Sequence, residues 1–190
     1  MHPLNVKILL ASRSPRRKEI LEKAGFRFRC VPAGIDETHP AEMPAKAIPE
    51  YLAKQKAEAL TNQVQPGEVI LAADTIVILD NEILEKPADA AEAMQMLRKL
   101  SGKMHTVITG VCLKTQQQTI TFSDLSEVYF KHLEKEEIDW YVNQYKPFDK
   151  AGAYGVQEFI GMIGIEKMVG SYFNVMGLPV HKVYAALKKM

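Results

Sequence analysis

The sequence predicts a single α/β domain over residues 1–190, built on a mixed sheet. Short runs of apolar and β-branched residues alternate with segments of helical periodicity, but not in a regular β-α-β order. With 47% hydrophobic and 25% charged residues, the composition is that of an ordinary globular protein. A chain of 190 residues can bury one sizeable core, and it contains no repeat, low-complexity tract or long Gly/Ser linker that marks a domain boundary.

The N-terminal elements have clear boundary signals. The apolar run 6–11 predicts a strand. Ser14 then caps a helix whose first position is Pro15, and Gly25 ends it. A second helix is predicted over 44–61.

The middle of the chain begins with a β-branched run over 69–79, which predicts a strand followed by a turn at 80–81. Asp89 is the predicted cap of a third helix, with Glu92 three residues later as in a capping box. Gly102 closes this helix.

The C-terminal part begins with two strands, predicted over 104–113 and 119–131, and a helix over 134–145. The segment 149–179 carries many glycines between apolar residues and predicts hairpins and tight turns. Pro179 is expected to start a terminal helix.

Charge and composition exclude several classes of protein. The 24 basic and 23 acidic residues give a net charge of +1, without the basic surplus of a general nucleic-acid binder. Cys30 and Cys112 have no CxxC neighbour, so neither a disulfide framework nor a thiolate zinc site is expected. No apolar run approaches the roughly 20 residues that span a bilayer, and the N-terminus lacks a signal-peptide pattern. We expect a cytoplasmic protein with no membrane or nucleic-acid partner.

The start of the first helix has the wrong charge for a helix N-terminus. Arg16, Arg17 and Lys18 crowd a turn where the helix dipole favours acidic residues. A strand, a loop with the hydroxyl of Ser12 and a helix N-terminus together form a natural site for a phosphate, which resolves this conflict. A solvated basic turn is the alternative. A segment for phosphorylation or RNA binding is a third, disfavoured because such segments are long and repetitive.

Two charged residues interrupt apolar patterns. Asp74 lies inside the strand run VILAADTIVIL, where an unpaired carboxylate is costly, so a functional role is favoured over a structural bulge. Lys56 lies on the apolar face of the second helix. Taken alone, Lys56 is best explained by snorkelling, with its stem packed and its ammonium in water.

Three further charged segments are unremarkable taken singly: the acidic turn Asp36-Glu37, Lys86 before Pro87, and the turn pair Asp149-Lys150. Together with the anomalies above, the charged residues indicate a polyanion site, with cations for phosphates and carboxylates for a divalent metal or a water. The sequence contains neither GxxxxGK[ST] nor GxGxxG, so a P-loop and a Rossmann dinucleotide site are not supported.

Several long segments resemble the Maf family of nucleoside triphosphate pyrophosphatases in order along essentially the whole chain. They are LLASRSPRRKEIL, AADTIV, EKPADAAEAMQMLRKLSGKMHTVITGV, DKAGAYGVQ and GSYFNVMGLP. The glutamine of DKAGAYGVQ is similar to the branch that prefers dTTP and UTP.

The resemblance implies hydrolysis between the α and β phosphates, which yields a nucleoside monophosphate and pyrophosphate, with Mg²⁺ or Mn²⁺ as cofactor. It also implies an elongated α/β fold, a mixed twisted sheet flanked by helices with a cleft between two lobes, and a homodimer. The alternative is a nucleotide-binding regulator of cell division, a role long associated with the family.

The resemblance also assigns roles to individual positions. Asp74 matches the proposed catalytic carboxylate and Glu37 its acidic partner, both as candidate metal ligands. The matching positions for substrate binding are Ser12, Arg16, Arg17, Lys56, Thr75, Lys86 and Gln157, of which Arg16, Thr75 and Gln157 are linked to substrate choice. One departure from the family pattern is Glu158, which stands where a glycine is usual.

Overall fold

The computed structural model describes residues 5–190. Residues 1–4, which belong to the segment considered above for a signal peptide, lie outside the described residues. The strands are β1 (Lys7–Leu10), β2 (Arg27–Cys30), β3 (Glu68–Leu79), β4 (Glu82–Leu84), β5 (Met104–Lys114), β6 (Thr119–Phe130) and β7 (Ile165–Val169). The α-helices are α1 (Pro15–Lys23), α2 (Ile48–Glu58), α3 (Ala90–Leu100), α4 (Lys135–Tyr145), α5 (Phe159–Gly164), α6 (Tyr172–Met176) and α7 (Val180–Leu187). Short 3₁₀ turns occupy Ala45–Ala47, Thr61–Gln63 and Ala151–Ala153.

The strands form one seven-stranded mixed sheet in the order β2-β1-β3-β5-β6-β7, with β4 paired to β3. Strand β1 is parallel to both β2 and β3, whereas β4 is antiparallel to β3 and β7 is antiparallel to β6. The predicted α/β class with a mixed sheet is therefore confirmed. Among residues 5–190, no helix combines the length and the apolar character needed to cross a bilayer.

The chain divides into two compact units. The first unit consists of Met1–Asp74, Thr109–Asp124 and Gly177–Met190, and the second of Thr75–Ile108 and Leu125–Met176. Three of the divisions, after Asp74, Ile108 and Asp124, fall within the long strands β3, β5 and β6, which is why the sequence carries no linker signal at them.

The first unit is built around the contact of α2 with the sheet. Its core cluster contains the buried residues Leu9, Ala11, Ala53, Ala57, Leu60, Ile70, Ala72 and Cys112. At Gly110 of β5 the backbone of α2 comes so close that a Cβ atom would lie 2.1 Å from the amide nitrogen of Glu50. Glycine is therefore required at position 110, and this close packing holds α2 against the strands.

The second unit packs α3 against α4. Leu97 and Leu100 of α3 are fully buried, and Ile138, Tyr141 and Val142 form the buried face of α4. These positions follow the helical period seen in the sequence, so the core-facing stripes of both helices were predictable.

Helix ends follow the predicted signals with two exceptions. Ser14 caps α1 and Asp89 caps α3, but the Glu92 carboxylate accepts from the amide of Ala88 instead of the cap residue, so the reciprocal capping box is not formed. The helix expected over 44–61 is shorter, because α2 begins at Ile48 and ends at Glu58, with 3₁₀ turns on either side.

The glycine-rich segment 149–179 differs most from its prediction. It forms α5, β7 and α6 instead of a series of hairpins and tight turns. Gly161 and Gly164 lie three residues apart on one face of α5 and are both buried. These glycines allow close packing of a short helix, and sequence alone did not distinguish that use from turn formation.

Candidate active site

The N-terminus of α1 offers unshielded positive charge. Ser14 is the cap residue, its hydroxyl accepts from the amide of Arg17, and its own amide donates to Oγ of Ser12. No acidic residue lies in the first helical turn, so the helix dipole and the basic side chains add to each other. An anion bound there is stabilised by both.

Arg17 is fixed at this helix start by contacts inside the first unit. Its Nε donates to the carbonyl of Gly177 at 2.9 Å, and one terminal nitrogen lies 3.4 Å from Oγ of Ser12. Burial lowers the pKa of the Arg17 guanidinium, while the carboxylates of Asp74 and Glu37 act in the opposite direction. The guanidinium therefore interacts electrostatically with both predicted catalytic carboxylates.

Lys56, Asp74 and Glu37 form one charged cluster. Nζ of Lys56 lies 2.6 Å from Oδ1 of Asp74 and 2.9 Å from Oε1 of Glu37. Lys56 and Asp74 are each 7% exposed, whereas the Glu37 side chain is 45% exposed. The snorkelling interpretation of Lys56 is wrong, because its ammonium is buried between two carboxylates instead of reaching water.

Local structure explains how this cluster forms. Lys56 follows Leu52 by one helical turn, so the two side chains share the buried face of α2. Asp74 lies in β3, where the ammonium compensates its burial. Glu37 lies in the loop between β2 and α2.

The two carboxylates suit a divalent cation. Hard carboxylate oxygens are the ligands that Mg²⁺ and Mn²⁺ accept, and Glu37 and Asp74 already share one cationic group, the Lys56 ammonium. Within residues 5–190 no three His, Cys, Asp or Glu side chains cluster as a self-sufficient metal site. A metal held here therefore takes its remaining ligands from substrate oxygens and water.

The other three predicted site residues belong to the second unit. Thr75 follows Asp74 in β3 and is half-buried, and Lys86 is exposed in the segment after β4. Gln157 is half-buried before α5, and its Oε1 atom is buried without a hydrogen-bond partner among the described residues. A buried acceptor without a partner is a place where a ligand can donate a hydrogen bond.

A second buried charge cluster escaped the sequence prediction. Lys150 is 7% exposed, and its Nζ lies 3.1 Å from Glu158 and 2.8 Å from Asp149. Glu158 also accepts a hydrogen bond from the hydroxyl of Tyr141. Asp149 and Lys150 do lie at a turn, as predicted, but nothing in the sequence indicated that the lysine is buried and paired with Glu158.

The chain is similar to known proteins along almost its whole length. The family model described as "Maf-like protein" matches residues 7–190. A protein of Phocaeicola vulgatus named "dTTP/UTP pyrophosphatase" is 53% identical over 186 residues, which cover 97% of this chain and 96% of the relative. A protein of the same name from Bacteroides thetaiotaomicron is 50% identical over 185 residues, which cover 96% and 95%.

Solved structures support the fold. The Staphylococcus aureus Ham1 protein matches with a TM-score of 0.53 at 14% identity, over 96% of this chain and 98% of the other. A HAM1 protein from Coxiella burnetii matches with a TM-score of 0.52 at 15% identity, over 97% and 100%. With a family model that covers almost the whole chain and full-length relatives at about half identity, the chain belongs to the Maf family.

Proposed function

We propose that this chain is a nucleoside triphosphate pyrophosphatase that hydrolyses the α–β phosphoanhydride of dTTP and UTP to the monophosphate and pyrophosphate. The observation that carries the proposal is the buried Lys56–Asp74 pair joined by Glu37, in the same unit as a basic, uncompensated helix N-terminus. The choice of reaction comes from the full-length relatives, which are named dTTP/UTP pyrophosphatases.

The cationic side chains would bind the triphosphate. Arg16 and Arg17 lie in the first turn of α1, where the dipole and the backbone amides favour an anion, and Ser12 adds a hydroxyl. Positive charge held at the phosphates stabilises the negative charge that develops on the pyrophosphate leaving group. Lys86, which is exposed in the second unit, is proposed to contribute to the same charge neutralisation.

Glu37 and Asp74 would hold the divalent cation, Mg²⁺ or Mn²⁺. When bound, the cation supplies Lewis-acid stabilisation of the phosphate oxygens and lowers the pKa of a bound water. Asp74 either accepts a proton from the attacking water or serves as a ligand of the cation, and both roles require its ionised carboxylate. Lys56 balances the charge of this carboxylate and fixes its orientation.

Gln157 would select the base. Its unpartnered Oε1 can accept the N3–H of uracil or thymine, and its amide nitrogen can donate to O4. In the same orientation of the amide, cytosine places its N3 acceptor against Oε1 and its 4-amino group against the amide nitrogen, so neither bond forms and the base is rejected. Thr75 is the other second-unit residue proposed to contribute to this choice.

The test is pyrophosphate release from dTTP, UTP, CTP, GTP and 7-methyl-GTP with Mn²⁺ or Mg²⁺, and with a chelator as control. We expect dTTP and UTP to have the highest kcat/KM, and activity to disappear when the chelator removes the cation. A best activity on GTP or 7-methyl-GTP contradicts the branch assignment, and no pyrophosphate from any nucleotide contradicts the activity. The homodimer stays a prediction, which sedimentation of the purified chain tests.

A further inference from the structure

Gln157 is carried by a short turn whose two ends are tied together. The amide of Glu158 donates to the carbonyl of Gly155 at 3.0 Å, so residues 155–158 form one turn with Gln157 at its third position. Helix α5 begins directly afterwards, and the amide of Met162 donates to the carbonyl of Glu158. The position of the Gln157 backbone is therefore set by the residues that hold this turn.

A single buried hydroxyl holds both ends of the turn. Tyr141 of α4 is fully buried, and its hydroxyl accepts from the amide of Gly155 at 3.1 Å while it donates to Oε2 of Glu158. A Cβ atom at position 155 would lie 2.7 Å from Cδ of Glu158, so a larger residue there would displace this carboxylate. The glutamate folds back over the turn instead of pointing to solvent.

Lys150 completes the network by balancing the charge of Glu158. Its Nζ lies 3.1 Å from Oε1 of Glu158, whose side chain is 17% exposed, and 2.8 Å from Asp149. A half-buried carboxylate with both oxygens engaged has a single well-defined orientation. The polar groups of this network bond to one another and to the turn: the Tyr141 hydroxyl to Gly155 and Glu158, and the Lys150 ammonium to Glu158. In contrast, Oε1 of Gln157 has no hydrogen-bond partner among residues 5–190.

We propose that Tyr141, Lys150 and Glu158 are positioning residues. They hold the side-chain amide of Gln157 in place for an imide N–H donor, the group that uracil and thymine carry at N3. The proposal rests on the proposed function and identifies what gives the base site its rigidity. A fixed acceptor that stays unpaired with the wrong base discriminates more strongly than a mobile one that can turn to water. Glu158, the departure from the family pattern, then strengthens base choice in this chain.

The decisive variants are Tyr141→Phe and Glu158→Ala, and Glu158→Gln is the conservative variant. Tyr141→Phe keeps the ring but removes the hydroxyl that joins Gly155 to Glu158. We expect KM for UTP and dTTP to rise roughly tenfold, with kcat within about twofold, and the preference for UTP over CTP to fall by a similar factor, since one or two hydrogen bonds are lost. Glu158→Gln keeps an acceptor for the Tyr141 hydroxyl, so its KM and its preference for UTP over CTP are expected to change less than those of Glu158→Ala.

The matched control is Tyr145→Phe, which removes a hydroxyl from the tyrosine stacked on Tyr141 in the same helix. It is expected to keep wild-type KM and wild-type base preference. Binding of inorganic triphosphate, measured by calorimetry, separates base recognition from phosphate binding and verifies that each variant is folded. We expect triphosphate affinity to stay unchanged in all four variants.

Two results overturn the proposal. One is unchanged KM and unchanged UTP/CTP preference in Tyr141→Phe, or in Glu158→Ala should Tyr141→Phe not fold. The other is an equal loss for every nucleotide together with weaker triphosphate binding, which is the signature of a merely structural role. If wild type hydrolyses no nucleotide, the proposed function fails, and calorimetric binding of UMP against CMP then decides the inference: loss of discrimination in the variants supports it, and no discrimination in wild type overturns it.

Discussion

Nζ of Lys56 lies 2.6 Å from Oδ1 of Asp74, with both residues buried at 7% exposure. A buried ion pair gains little over an apolar pair of the same shape, but removing one partner leaves an uncompensated charge. Glu37 reaches the same ammonium from an exposed loop, so the cluster is closed on the side of Asp74 and open on the side of Glu37. This arrangement keeps a carboxylate at a defined place while one of its neighbours stays accessible to solvent and ligands.

Asp74→Asn is expected to lower kcat by about 10²-fold or more, because the variant loses the negative charge that either proton transfer or cation binding requires. The amide oxygen can still accept from Lys56, so the variant should remain folded. Single-turnover rates and thermal melts check this. Asp80→Asn is the matched control, since Asp80 is exposed in the turn after β3 with φ at 49°, a conformation that asparagine accepts. A folded Asp74→Asn enzyme with wild-type turnover removes Asp74 from the mechanism.

Lys56→Met is expected to lower the free energy of unfolding by about 3–5 kcal/mol, because it removes the ammonium that is hydrogen-bonded to the buried Asp74 carboxylate. Lys54→Met is the control on the same helix: Lys54 is exposed and its Nζ lies 3.9 Å from Glu58, so a change of less than ~0.5 kcal/mol is expected. Denaturant unfolding with a common m-value measures both. Equal unfolding midpoints for the two variants contradict the conclusion that the buried Lys56–Asp74 pair matters for stability.

Arg17→Ala is expected to destabilise the free protein by about 1–3 kcal/mol, because the guanidinium donates to the carbonyl of Gly177 and its loss leaves that acceptor unpaired. Arg13→Ala should change the stability by less than ~0.5 kcal/mol, since Arg13 is exposed in the loop before α1. Thermal melts of the nucleotide-free proteins make the comparison. If Arg17→Ala has the same melting temperature as wild type, the guanidinium is solvated and does not hold the Gly177 carbonyl in solution.

Stability is expected to fall in acid because of His105. This residue is 1% exposed, and burial lowers the pKa of its imidazole to about 4 from 6.5. Its Nε2 contacts the hydroxyl of Tyr154, whereas Nδ1 is buried without a partner among the described residues, so protonation adds an unsatisfied charged donor. The folded state binds this proton less readily than the unfolded state. The stability that the neutral His105 contributes to the folded state is therefore fully present above about pH 6.5. It is lost as the pH falls towards 4, which lowers the free energy of unfolding by roughly 3 kcal/mol in total.

Unfolding free energies between pH 4 and pH 7.5 test this contribution of His105. His105→Gln, which keeps a donor near the Tyr154 hydroxyl, should flatten the pH dependence, and the exposed His132→Gln should leave it as in wild type. An unchanged slope in His105→Gln assigns the acid sensitivity to other groups.

The sequence alone determined features that depend on neighbours a few residues away. The strand over 69–79, the cap at Ser14, the turn at 80–81 and the apolar faces of α3 and α4 all follow from local propensity and periodicity, and the structure has each of them. The family resemblance also came from the linear order of motifs, and the match over residues 7–190 confirms it.

Only the tertiary structure decided which charged residues meet. Lys56 and Asp74 are 18 positions apart, and Arg17 and Gly177 are 160 apart, so no periodicity joins them. An isolated lysine on a helix face has the same pattern whether its ammonium reaches water or a buried carboxylate, because the difference lies in what packs against it. For the same reason the burial of Lys150 and the folding of Glu158 onto Tyr141 were not predictable: their energies come from contacts that exist only after the chain has brought α4 and the turn before α5 together.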